Sequence, residues 1–182
     1  MANDRSLVDP SCRRILVLGP PGSGKSTLAR RLGAVCDYPV VHLDAEFWKP
    51  GWEMPTREAW IERQEALMER TDTWILDGNY DGTLEVRLEH ADTVVLLDVS
   101  RYVSVYRILR RRIEYAGRTR PDRAEGCREK VDREFLRYAW TFHTEELPII
   151  EAKLDRYDHL DVYRLDSSDA VEAFVDRLSG EG

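Results

Sequence analysis

Gly19-Pro20-Pro21-Gly22-Ser23-Gly24-Lys25-Ser26 is the feature that most constrains what this chain can fold into. It has the spacing G-x-x-x-x-G-K-[ST] of a P-loop. Such a loop works only between a buried strand and a helix. The glycines turn backbone N–H groups inward, and the helix behind them points its positive end at the enclosed anion. Both flanks are present. Ile15-Leu16-Val17-Leu18 reads as a buried parallel strand, and Thr27 to Leu32 reads as helix, with Leu28 and Leu32 one turn apart. Residues Gly19, Pro20, Pro21, Gly22, Ser23, Gly24, Lys25, Ser26 and Thr27 are therefore the expected nucleotide contacts, for ATP in preference to GTP. Lys25 would place a mobile cation near the β/γ bridge, and the Ser26 hydroxyl is offered to Mg²⁺.

A chain of 182 residues suits one domain, here read as residues 1–182 with a short mobile arm at 1–12. No apolar run approaches the ~20 residues of a membrane span, and the polar start lacks a signal-peptide core. Cys12, Cys36 and Cys127 are odd in number and scattered, which points to thiols in a reducing cytoplasm rather than a disulfide frame or a structural zinc. The net charge of −7 argues against a chain whose main business is coating nucleic acid. Between Arg101 and Arg137, however, eleven Arg and one Lys face six acids. Such a basic stretch on an acidic protein suggests a dedicated anion site.

Four more strands are legible: Val40 to Leu43, Thr73 to Leu76, Thr93 to Leu97 and Val162 to Leu165, the first three running into Asp44, Asp77 and Asp98. Helices are expected from Thr56 (as N-cap) to about Arg70, from Tyr102 to Glu114, and from about Glu129, with Pro148 either interrupting that helix or starting another. A last one opens on an Asp169/Glu172 capping box. Tyr115 to Cys127, with Gly117, Pro121 and Gly126 among arginines, reads as a loop. Strands separated by helices imply a parallel sheet with helices on both faces. Ligands of such a sheet lie beyond the carboxyl ends of its strands, so the three aspartates are expected to gather around the P-loop.

Phosphoryl transfer needs a metal, donors that follow the moving charge, and a positioned acceptor. Asp77 is expected to hold Mg²⁺ with Ser26. Asp44 and Glu46, an Asp-x-Glu pattern, would orient an acceptor hydroxyl and accept its proton. Residues 44–72 are the expected acceptor region. Residues 115–127 would form a lid carrying Arg118, Arg120 and Arg123, with Arg107, Arg110 and Arg111 on the helix before it. Some of these arginines would instead form i,i+4 pairs, such as Arg110 with Glu114. Trp48 and Trp52 either stack on an acceptor or close the loop against the core. His42 is expected to pack, and Tyr138, Trp140 and Phe142 to serve core and interface.

Ile75-Leu76-Asp77-Gly78 with an Asp98-Val99 strand end resembles adenylate kinase and its relatives. The chain resembles still more the adenylate-kinase-related family of DNA topology modulation proteins. That likeness rests on His42-Leu43-Asp44-Ala45, Phe47 to Trp52, Asp77-Gly78-Asn79-Tyr80, Gly82-Thr83-Leu84, Arg87-Leu88, Ala91-Asp92-Thr93, Thr119 to Asp122 and Ala124 to Cys127. The resemblance implies a three-layer α/β/α domain with sheet order 2-3-1-4-5 and an Arg-rich lid. It also implies Mg-ATP-dependent phosphoryl transfer to a small molecule, nucleotide or nucleoside. Where adenylate kinases carry Asp-Gly-Phe-Pro-Arg for the acceptor's phosphate, this chain has Asn79-Tyr80-Asp81. Asn79 and Tyr80 are therefore acceptor-site candidates, with Arg87 as a substitute cation. The family's name implies a rival, a nucleotide-dependent regulator bound to DNA. A polynucleotide-end kinase is a further alternative.

Overall fold

The computed structural model describes residues 12–48, 53–114 and 133–179. Its frame is a parallel five-stranded sheet in the order β2-β3-β1-β4-β5. The strands are β1 (Arg14–Leu18), β2 (Val40–His42), β3 (Trp74–Asp77), β4 (Thr93–Leu97) and β5 (Asp161–Leu165). This is the order the resemblance implies.

Successive strand residues point to opposite faces, and here both faces are covered. On one face Leu16, Leu18, Leu76, Val94 and Leu96 pack with Leu84 and Leu88 of α4 (Leu84–Leu88), Phe142 of α6 (Arg133–Glu145), and Ile150 and Leu154 of α7 (Leu147–Leu154). Met68, at the end of α3 (Arg57–Met68), joins them. On the other, Ile15, Val17, Ile75, Val95 and Leu97 meet Leu28, Ala29 and Leu32 of α1 (Lys25–Cys36), and Phe174 and Val175 of α8 (Ser168–Ser179). Burial on both sides is why β1, β3 and β4 read as unbroken apolar runs rather than alternating ones. Each such side chain contributes roughly 1.5–3 kcal/mol relative to exposure. The layers are α/β/α. Helix α5 (Arg101–Glu114) packs on α6 at the carboxyl edge of the sheet. Among the described residues no helix is long and apolar enough to cross a membrane.

Several local expectations hold. The Thr56 hydroxyl caps α3, accepting from the Ala59 amide at 3.3 Å, and Pro148 sits in the first turn of α7. Others are corrected. Strand β2 stops at His42, and Leu43–Phe47 wind into a short helix, α2, so Asp44 sits in a helical turn rather than at a strand end. The cap of α8 is Ser167, whose hydroxyl accepts from the Ala170 amide at 3.2 Å. Glu172, expected in a capping box, pairs bidentately with Arg31 of α1 instead. Helix α5 buries Ser104 and Ile108 on one face and leaves Leu109 46% exposed. The 115–127 segment and Trp52 lie outside the described residues.

Candidate functional site

At the carboxyl edge of the sheet, between the loop after β1 and the turns after β2 and β3, lies a cleft of about 600 Å³. The P-loop forms one wall. Its shape requires glycine at two points. Gly22 has φ +77°, and a Cβ there would stand 2.6 Å from the Ser104 carbonyl oxygen of α5. Gly24, with φ +102°, is the N-cap of α1 and its carbonyl takes the Thr27 and Leu28 amides at 3.0 and 2.9 Å. The first turn of α1 holds no acid, so its positive end faces the cleft uncompensated by any carboxylate of that turn. Lys25 Nζ donates to the Gly19 and Pro20 carbonyls at 2.9 Å each, which lays the ammonium along the loop. Arg107 of α5 donates to the Ser23 carbonyl at 2.9 Å. Pro21, Gly22, Gly24, Lys25, Ser26 and Thr27 all line the cleft, as do Arg30, Arg107 and Arg111. Gly19, Pro20 and Ser23 are buried behind them.

The facing wall is assembled from separate elements. Asp77, 5% exposed at the end of β3, accepts from His42 Nδ1 at 2.8 Å. His42 was expected to pack; it instead orients this carboxylate. Asp44 of α2 accepts the Tyr80 hydroxyl on Oδ1 at 2.8 Å. Tyr80 is held in the left-handed region, φ +42°, a conformation costly for a non-glycine residue. Its ring lies 4.7 Å from Phe47 and 5.2 Å from Trp60, centroid to centroid. Its carbonyl accepts from the Thr83 amide at 3.0 Å and from Arg87 at 3.1 Å. Asn79 grips the P-loop, its side chain accepting from the Gly19 amide at 3.0 Å and donating to the Gly19 carbonyl at 2.9 Å.

Arg87 does not face the cleft as expected of a phosphate-binding cation. It is wholly buried, and its guanidinium donates to the carbonyls of Gly78, Asn79 and Tyr80. Burial pushes its pKa down to about 9. It is a clamp on the turn that carries Asn79 and Tyr80. Glu46 is likewise drawn aside, by Arg63 of α3, and Trp48 packs edge-on to Phe47 at 5.0 Å; neither lines the cleft. Asp98 does not join Asp44 and Asp77. It pairs with His143 of α6 and Arg164 of β5, both at 3.1 Å, and Arg164 pairs in turn with Glu151 of α7. Strand β4 lies across the sheet from β2 and β3, so its end meets α6 and β5 first.

The sequence missed Asp81, Phe135 and Tyr138 as cleft residues. Phe135, Tyr138 and Phe142 follow one another at helical spacing, so α6 can present one end of a stripe to the cleft while Phe142 enters the core. That spacing was the available signal. Burial, with the carboxylates of Glu146, Asp81 and Asp44 adding to it, pushes the Tyr138 phenol up to about 12.

Among the described residues no group of three or more His, Cys, Asp or Glu converges on a metal position. A hard cation that takes most of its ligands from phosphate and water needs no such group. Ser26 and Asp77, facing one cleft with the loop's glycine cradle between the strands, fit that requirement.

Residues 15–137 match the family model described as an AAA domain. No curated protein matches the sequence significantly. Among solved structures, shikimate kinase from Acinetobacter baumannii, in complex with shikimate, is similar with a TM-score of 0.57 at 16% identity, over 93% of this chain and 92% of that one. A shikimate kinase from Bacteroides thetaiotaomicron gives 0.48 at 17%, over 93% and 98%. A gluconokinase from Sinorhizobium meliloti 1021 gives 0.46 at 17%, over 92% of each chain. At 16% identity the likeness to the Acinetobacter baumannii structure is one of fold. With its strand, glycine loop, helix and facing aspartates inside a match that spans more than half of its length, the chain belongs to the AAA domain family.

Proposed function

We propose that the protein is a Mg-ATP-dependent phosphotransferase acting on a small hydroxyl acceptor. The observation that carries this reading is a single cleft with a cationic P-loop wall on one side and Asp44 on the other. In this reading the loop amides and Lys25 hold the triphosphate, while Ser26 and Asp77 would hold Mg²⁺, which would supply positive charge against the phosphates. Asp44, with Oδ1 fixed by Tyr80, presents Oδ2 to the acceptor hydroxyl and takes its proton. The hydroxyl oxygen bonds to the γ-phosphorus as the bond from that phosphorus to the β–γ bridging oxygen breaks, and ADP leaves with the electron pair. Arg107 and Arg111 would steady the transferring charge. Arg118, Arg120 and Arg123 of the 115–127 segment belong to the same proposal as lid cations, and Trp52 as an acceptor contact.

The finer resemblance, to the DNA topology modulation family, carries a regulator reading that asks for a basic stripe outside the cleft. Arg107 and Arg111 line the cleft, which favours a small acceptor there, while Arg110, Arg112, Arg133 and Arg137 are exposed and do not line it. A fold relative in complex with shikimate is consistent in scale with such an acceptor. The test is ADP production from Mg-ATP with nucleoside monophosphates, nucleosides, sugars, sugar acids and oligonucleotide ends, using Lys25→Ala as the blank. Acceptor-dependent turnover supports the proposal. Turnover raised by duplex DNA alone would replace it with the regulator.

A further inference from the structure

The cleft is electrically polarised. Its cations, Lys25, Arg30, Arg107 and Arg111, come from α1 and α5, the phosphate side. Its carboxylates, Asp44, Asp77 and Asp81, come from α2, the end of β3 and the turn after β3. Among the described residues, the nearby cations on that second side are committed elsewhere. Arg87 is buried on backbone carbonyls, Arg63 pairs with Glu46, and Lys153 bonds the Asp81 carbonyl and Glu85.

Asp77 faces His42 and the proposed metal, and Asp44 the acceptor hydroxyl. That leaves Asp81, whose carboxylate has no hydrogen bond or ion pair among the described residues, although it lines the cleft. Aromatic rings stand beside it: Tyr80, Phe135 and Tyr138 line the same space. Carboxylate together with aromatic faces is the combination that attracts a cation and repels an anion. The local groups register that field. The Tyr138 phenol is raised first by burial; an Asn79 hydrogen bond lowers it, and Glu146, Asp81 and Asp44 each act to raise it. The Glu146 carboxyl is raised by burial first and then by Asp81 and Glu145.

We infer that the acceptor is a positively charged hydroxyl compound, an amino alcohol or amino sugar, whose ammonium is met by Asp81 and the Tyr80, Phe135 and Tyr138 rings while its hydroxyl faces Asp44. This rests on the phosphotransferase reading and names its substrate class. It inverts the charge of the acceptor expected by analogy with a nucleoside monophosphate or a sugar acid.

The experiment is a calorimetric titration of the full-length protein, loaded with Mg-AMP-PNP, with glucosamine, glucose and glucuronate. These probes share a hydroxylated ring and differ in charge. Glucosamine should bind at least about tenfold more tightly than glucuronate, with glucose between, and added salt should weaken glucosamine binding but not glucose binding. Asp81→Asn should narrow that gap and Asp81→Lys should reverse it. Glucuronate binding as tightly as glucosamine, no glucosamine binding at all, or a gap indifferent to Asp81 would each overturn the inference. Failure of the underlying phosphotransferase reading looks different: glucosamine would bind as expected, but no acceptor would raise Lys25-dependent ADP production from Mg-ATP.

Discussion

The two walls of the cleft are built on opposite plans. The phosphate wall is mostly one continuous stretch of backbone, Gly19 to Thr27, shaped by glycine and aimed by a helix end. The opposite wall, proposed to receive the acceptor, is a set of single side chains brought from α2, β3, the turn after it and α6, and held by bonds that cross the fold: His42 to Asp77, Tyr80 to Asp44, Arg87 to three carbonyls. A triphosphate is the same in every protein that binds it, so a local solution can be reused whole. An acceptor is particular, and its wall is correspondingly piecemeal. The difference predicts that mutations on the first wall act directly and those on the second act through neighbours.

The largest effect is expected from Lys25→Ala, which should lower transfer by about 10³-fold or more while leaving the circular dichroism spectrum native. Retained turnover would dissolve the distinction between the walls. Next comes Arg87→Met. Although burial of the guanidinium is itself unfavourable, removing it strands the Gly78 and Asn79 carbonyls and releases the left-handed turn, so thermal or denaturant unfolding should report a loss of about 3 kcal/mol. A stable variant with normal activity would show that the acceptor wall needs no clamp. Asp44→Asn should cut kcat about 10²-fold with little change in nucleotide affinity. An equal loss of nucleotide binding would move Asp44 to the metal side. Tyr80→Phe removes one hydrogen bond from that carboxylate and should lower kcat about tenfold.

The smallest effect concerns Tyr138. Its folded pKa is raised from the ordinary value of 10.0 to about 12. The associated stabilisation is therefore complete below pH 10 and is lost as the pH rises through about 12. An ultraviolet titration of wild type against Tyr138→Phe should show one late-ionising phenol missing from the variant. Loss of an ordinary phenol instead would mean that the acceptor end is open to water and far from carboxylates.

The same contrast explains what the sequence made legible. The P-loop was readable because its physics is local: eight adjacent positions carry the turn, the cation and the hydroxyl. The sheet was readable because double-sided burial writes Ile15 to Leu18 and Thr93 to Leu97 as apolar runs. Asp98 misled because a strand-end aspartate looks alike at any strand, whereas its surroundings depend on where β4 sits in the sheet. Arg87 misled because spacing gives the turn a residue occupies but not whether its guanidinium points out or in. Tyr138 was hidden since a stripe on α6 serves core and cleft at once, and only the packing of α6 shows where one ends.

The Asn79 side chain bonds both the amide and the carbonyl of Gly19, just past Gly78, whose own amide bonds Val17 at 3.3 Å. An amide side chain thus imitates a strand and adds a rung to the β1–β3 ladder after the backbone has left it. The mechanical result is that the root of the phosphate loop and the root of the acceptor turn share one joint. In the proposed transfer, movement of Gly19 as a triphosphate seats would be felt at Asn79, one residue before Tyr80 and its grip on Asp44, so this crosspiece would couple the seating of the donor to the place of the acceptor.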